Sequence, residues 1–93
     1  ADKMGKATLF HSDRIMVGLN SFEPGQEHSL HAHSGMDKVY HVLSGKGRFL
    51  LEGREIPMEA GQMLIAPAGV AHGIRNDARE RVRAHAILAP SPG

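Results

Sequence analysis

Eleven glycines punctuate this chain of 93 residues, and their spacing limits what it can fold into. They stand at 5, 18, 25, 35, 45, 47, 53, 61, 69, 73 and 93, recurring every eight to ten residues through the middle. Between them lie short runs rich in Val, Ile, Leu and Phe. Turns at that pitch leave room for strands of about five to eight residues and none for helices of several turns. Arg14–Asn20, Asp37–Leu43, Arg48–Glu52, Gln62–Ala66, Ala71–Asn76 and Arg81–Leu88 read as strands, with turns at Ser44–Gly47, Glu52–Arg54 and Ala68–Val70. Ile15, Val17 and Leu19 share one face of the first segment. In Asp37–Leu43 the residues Val39, His41 and Leu43 share one face, and Lys38, Tyr40 and Val42 share the other. Arg81, Arg83 and His85 alternate with Val82, Ala84 and Ala86, as in a half-buried strand.

No window carries apolar residues at i, i+3, i+4 and i+7 over three turns, and 77–81 reads as a loop. Pro90 and Pro92 predict a frayed tail over 89–93. The expectation is an all-β domain spanning 1–93, with eight or so strands in a sandwich, jelly roll or small barrel. Closing the sheets removes the edge strands that an open sheet would expose.

Composition narrows the chemistry. With no cysteine there is no disulfide scaffold, thiolate metal site, iron–sulfur cluster or cysteine nucleophile. Eleven Lys+Arg against ten Asp+Glu give no electrostatic footprint for nucleic acid or an anionic membrane. The longest apolar run, Met63–Pro67, is far short of the roughly 20 residues that span a bilayer. The opening residues lack the apolar stretch of a signal peptide, so a cytoplasmic protein is expected. So short a chain has a narrow core, which makes a homodimer the economical state.

Seven histidines are many for this length. The densest cluster is Glu27-His28-Ser29-Leu30-His31-Ala32-His33. His31 and His33 stand two apart, so an extended backbone projects both imidazoles from one face, where they can converge on one divalent cation. His28 has the opposite parity, and a regular strand would send it to the other face. A pair of histidines alone is weak, because surface strands carry such pairs by chance.

The surroundings strengthen it. Gly25, His31, His33 and Gly45 are followed, with fifteen residues between Gly45 and Gly61, by Gly61, Pro67, Gly69, His72 and Asn76. These resemble the two motifs of the cupin family, G-x5-H-x-H-x3,4-E-x6-G over 25–45 and G-x5-P-x-G-x2-H-x3-N over 61–76. The resemblance implies a jelly-roll barrel that binds one divalent transition metal (Fe, Zn, Mn, Ni or Cu) through His31, His33 and His72. Their nitrogens should then lie about 3–4 Å apart, as ligation at ~2.1 Å requires. Gly25, Gly45, Gly61 and Gly69 would take positive φ in turns, and Asn76 would tie its loop through side-chain to backbone bonds.

One position departs from the family pattern. The place of the metal-binding glutamate falls on Lys38 by one spacing and on Asp37 by the other. Strand parity puts Lys38 inside with Tyr40 and Val42. Three arrangements follow: ligation by the three histidines alone, a bulge that brings in Asp37 as fourth ligand, or a metal-free site in which Lys38 binds an anion. Lys38 and Tyr40 are the candidate catalytic side chains. His41 faces outward, where a subunit contact would lie, and His85 stands on the late strand. The implied activity is a dioxygenase-type oxidoreductase acting on a small anionic ligand. The alternatives are a non-redox isomerase or lyase on a small acid or sugar, or a non-catalytic binding module.

Overall fold

The computed structural model describes residues 4–92, and the regular structure among them is all strand. The strands are β1 (Gly5–His11), β2 (Met16–Phe22), β3 (Glu27–His31), β4 (Asp37–Ser44), β5 (Lys46–Leu51), β6 (Arg54–Glu59), β7 (Met63–Ala66), β8 (His72–Arg75) and β9 (Val82–Ala89). They form a five-stranded sheet in the order β1-β2-β9-β4-β7 and a four-stranded sheet in the order β3-β8-β5-β6. The pairings among them are antiparallel. The result is the expected all-β jelly roll.

The six segments read as strands appear as β2, β4, β5, β7, β8 and β9, with ends displaced by a residue or two. β6 is hidden in the sequence by Pro57, which pairs with Arg48. It lies at the edge of its sheet, where a missing N–H costs no ladder bond. Gly25, Gly35, Gly45, Gly53, Gly61 and Gly69 take φ between +78° and +91°. At Gly45 a side chain would also run into the backbone at Arg81 and Val82, so the turn admits glycine on two counts.

Between the sheets lies a core of Phe22, Tyr40, Val42, Phe49, Met58, Ala66, Ile74, Val82 and Ala86. Each large apolar side chain there contributes about 1.5–3 kcal/mol through burial. The closed end of the barrel is fastened by Asn76, which is fully buried. Its Nδ2 donates to the carbonyls of Phe22 (2.9 Å) and Glu80 (2.8 Å), and its Oδ1 accepts from the Ala78 N–H (2.9 Å). The side chain thus joins the end of β2 to the 76–82 connection, as the motif implied.

Ile15, Val17 and Leu19 do share one face, the half-exposed outer one, whereas Gly18, Asn20 and Phe22 point inward. β2 has to leave space beneath it, and small or polar residues on its inner face do so. One boundary is corrected: β9 runs through Ala89, one residue into the expected tail, and Pro92 lines the cavity at the open end. Gly93 lies outside the described residues.

Candidate metal centre

His31 ends β3, His33 lies in the loop beyond it, and His72 opens β8. β3 and β8 are neighbours with His31 opposite His72, so the sheet itself sets two of the rings side by side. The loop holding His33 is tied to the turn before β8 at two points. Gly69 N–H donates to the His33 carbonyl (2.8 Å), and Ala68 N–H donates to Asp37 Oδ1 (2.8 Å). Ring centroids lie 5.0 Å apart for His31–His33, 4.3 Å for His31–His72 and 5.8 Å for His33–His72. One nitrogen from each of the three lies within 4.8 Å of the others. That is wider than the 3–4 Å expected, and closing onto one ion asks the side chains to move by about an ångström.

Hydrogen bonding settles which nitrogens are free. His31 Nδ1 lies 2.8 Å from the Ser29 carbonyl and His72 Nδ1 lies 2.9 Å from the Val70 carbonyl. A carbonyl only accepts, so each Nδ1 carries the proton and each Nε2 presents a lone pair. Both Nε2 atoms are buried and have no hydrogen-bond partner among the described residues. A buried acceptor without a donor is costly, and two that face a third imidazole fit a cation. Desolvation is the main force holding all three rings below the ordinary histidine range, with the positive charge of Lys38 adding to it. The neutral form that a metal needs is therefore the form that the fold favours.

Lys38 points inward, as parity required, and is only 5% exposed. Its Nζ stands 4.9 Å from the centre of the Tyr40 ring. Burial first, and Lys6 second, lower its pKa to about 8. Asp37 is not brought inward: it is exposed and holds the Ala68 amide, because β4 runs without a bulge at its start. Tyr40 is a core residue rather than a cavity-wall residue, packed edge-on against Phe49 and His72. Burial raises its pKa above that of an ordinary phenol, and its hydroxyl has no partner among the described residues. His41 and His85 pair across β4 and β9 on the outer side, their rings 5.7 Å apart and away from the cluster. Arg75 and Arg81 are engaged by Glu55 and Glu23 on the surface.

His28 breaks its parity expectation. A register shift between His28 and His31 turns its ring onto the inner side, where it stacks on His31 with centroids 4.0 Å apart. Gly73 permits this, since a Cβ there would overlap the His28 carbonyl. Desolvation above all lowers the His28 pKa to about 4. The rings of His28, His31 and His33 line a cavity of about 380 Å³ together with Lys6 and Lys38. Lys6 escapes the sequence reading as well. Though exposed, it lines the cavity rim because β1 pairs it with the buried Asn20 of β2, a register that no local pattern announces.

The cupin-domain family model matches residues 18–88. This chain belongs to the cupin family. Among curated proteins, this cupin is 29% identical over 76 residues to an oxalate-binding protein of Thermotoga maritima, covering 82% of this chain and 62% of that one. It is 31% identical over 67 residues to an acireductone dioxygenase of Rhodopseudomonas palustris, covering 68% of this chain and 40% of that one. The cupin thus spans 40–62% of the length of these curated relatives. A crystal structure of a Thermus thermophilus protein superposes with a TM-score of 0.90 at 36% identity, covering 97% of this chain and 86% of that one. A predicted oxalate decarboxylase of Thermotoga maritima shares the fold at 24% identity and a TM-score of 0.88, covering 94% of this chain and 80% of that one.

Proposed function

We propose that this cupin binds one divalent transition metal through His31, His33 and His72, and takes a small anionic ligand in the cavity beside it. The observation that carries this reading is the pair of buried, partnerless Nε2 atoms on His31 and His72, each with its Nδ1 proton committed to a backbone carbonyl. A bound dication would supply Lewis acidity toward an anionic oxygen of the ligand. The chain's own part is to hold three neutral imidazoles, to exclude bulk water with Leu88 and Met16, and to present positive charge from Lys38 and Lys6.

Three imidazoles without a carboxylate leave coordination positions open and the ion's charge undiminished. This suits an oxidoreductase of dioxygenase type acting on a small acid, and the likeness to an acireductone dioxygenase supports it. A second reading, a ligand-binding module without turnover, draws support from the likeness to an oxalate-binding protein and from a cavity wall that offers no carboxylate for proton transfer among the described residues. Elemental analysis of protein purified without added metal or a polyhistidine tag, followed by oxygen-uptake measurements, tests both. A stoichiometric redox-active metal with oxygen uptake supports the first reading. Metal without uptake supports the second, and absence of any retained metal overturns the metal centre.

We further infer that two copies pair through the outer face of the five-stranded sheet. Phe10, Met63 and Ile65 are exposed there at 56%, 61% and 62%, with Leu9 and Leu43 also exposed and Ile15 and Val17 half-buried beside them. An interface of at least ~1,000 Å² is expected, with sedimentation giving about twice the chain mass. A monomer at micromolar concentration refutes the pairing.

A further inference from the structure

Two lysines line the cavity, the buried Lys38 and the exposed Lys6, and no carboxylate lines it among the described residues. The ion pairs among those residues, Arg48–Asp77, Arg75–Glu55 and Arg81–Glu23, all stand on the outer surface. Lys38 sits in the inner row of β4, flanked across the sheet by Leu88 and Ala66, and makes no ion pair with any described residue. Burying an ammonium without a counter-charge is expensive, and a second cation facing the same space adds to the cost. Lys6 acts in that way on Lys38 and on His28, His31 and His33.

A methionine has nearly the length of lysine and would fit that apolar row without the penalty. The Tyr40 ring beneath the ammonium, 4.9 Å from its centroid, offsets part of that cost, but it carries no negative charge, so an anionic solute can still serve as the counter-ion. The rest of the wall combines the polar Thr8 and Asn20 with the apolar Met16, Ala86 and Leu88. That lining suits a short carbon skeleton with charged ends rather than a sugar, which would need many paired hydroxyl partners.

We propose that Lys38 and Lys6 form an anion subsite distinct from the imidazole cluster, and that the cavity takes a small dicarboxylate with one carboxylate on the lysines and the other turned toward the imidazoles. Only the placement of the second carboxylate rests on the metal-centre reading; the lysine subsite stands without it. Lys38 then fills the position of the family's acidic ligand with the opposite charge, so the anion comes from the ligand instead of from the chain.

The test is calorimetric titration of chelator-treated protein at pH 7 with oxalate and with acetate. Metal-free wild-type protein should bind oxalate, and bind it at least about tenfold more tightly than acetate, since two ammoniums face one dianion. Lys38→Met should weaken oxalate binding about tenfold or more, Lys6→Met should weaken it less, and Lys38→Arg should restore it to within about threefold. Lys6 is on an exposed strand, so its replacement reports on binding without threatening the fold. Equal oxalate affinity in Lys38→Met and wild type, or no oxalate binding by the metal-free protein, overturns the subsite. Equal affinity for acetate and oxalate overturns the dicarboxylate. Dialysis of wild-type protein against Zn²⁺ alone is a separate measurement: failure to retain zinc sinks the metal centre and leaves the subsite standing if oxalate still binds.

Discussion

The two ends of the barrel treat polar groups in opposite ways. At the closed end Asn76 is fully buried, and both its amide nitrogen and its oxygen are matched by backbone groups. At the open end His28 Nδ1, His31 Nε2, His72 Nε2 and the Tyr40 hydroxyl are buried without partners among the described residues, and Lys38 finds no counter-ion there. Matched polar groups hold a fold in one arrangement, whereas unmatched ones raise its free energy until something binds. The closed end therefore carries stability, and the open end stores binding capacity at the expense of stability.

The largest effect should come from breaking the closed end. Asn76→Ala strands two carbonyls and one N–H, a loss of about 3 kcal/mol, and a thermal melt should fall by more than about 10 °C. Metal retained per folded molecule should stay as in wild type. At the open end, His72→Ala should weaken Zn²⁺ binding by about 100-fold, or ~2.7 kcal/mol, in equilibrium dialysis. Its melt should move less than that of Asn76→Ala, and chelation of the wild type should leave circular dichroism unchanged. If chelation unfolds the protein, the division between the two ends is wrong.

Charge reversal gives a smaller effect of opposite sign. Lys38→Glu should rebuild a three-imidazole, one-carboxylate set and tighten Zn²⁺ binding about tenfold, or ~1.4 kcal/mol, while weakening oxalate binding. Unchanged zinc affinity would mean that the side chain does not reach the cluster.

The smallest effect is on pH. His28 is lowered to about 4, and His31, His33 and His72 are lowered too, so between pH 6.5 and 4 the unfolded chain binds more protons than the folded one. Stability is then full above pH 6.5 and declines as pH falls toward 4. Solvent contact of these rings limits the loss to about 1 kcal/mol, or roughly 4–8 °C in Tm. A melt that is flat across that window contradicts the desolvation of the cluster.

Much of this can be read from the residues, and the exceptions share a cause. Lys38, Tyr40 and Val42 point inward because β4 is regular, and parity holds along a regular strand. The turn glycines, the histidine triplet and Asn76 are legible because each sits where backbone geometry demands its type. His28 defies its parity because a bulge reverses it, and that bulge depends on the missing side chain of Gly73 on the neighbouring strand. Lys6 and the aim of β2 depend on inter-strand register, which alternation within one segment does not report. Asp37 has the spacing of a ligand, yet its carboxylate is occupied by an amide that lies 31 residues away in sequence.

That carboxylate has a dynamic consequence. Asp37 to Ala68 and Gly69 to the His33 carbonyl are the two bonds that hold the 67–70 turn against the first histidine loop. Opening the turn would separate His72 from His33, so release of an ion held as proposed would coincide with local opening. The amide protons of Ala68 and Gly69 are accordingly the reporters of residence time. Their exchange with deuterated solvent should slow in proportion to how firmly the imidazoles are bridged, while amides at the Asn76 end exchange at a rate indifferent to metal.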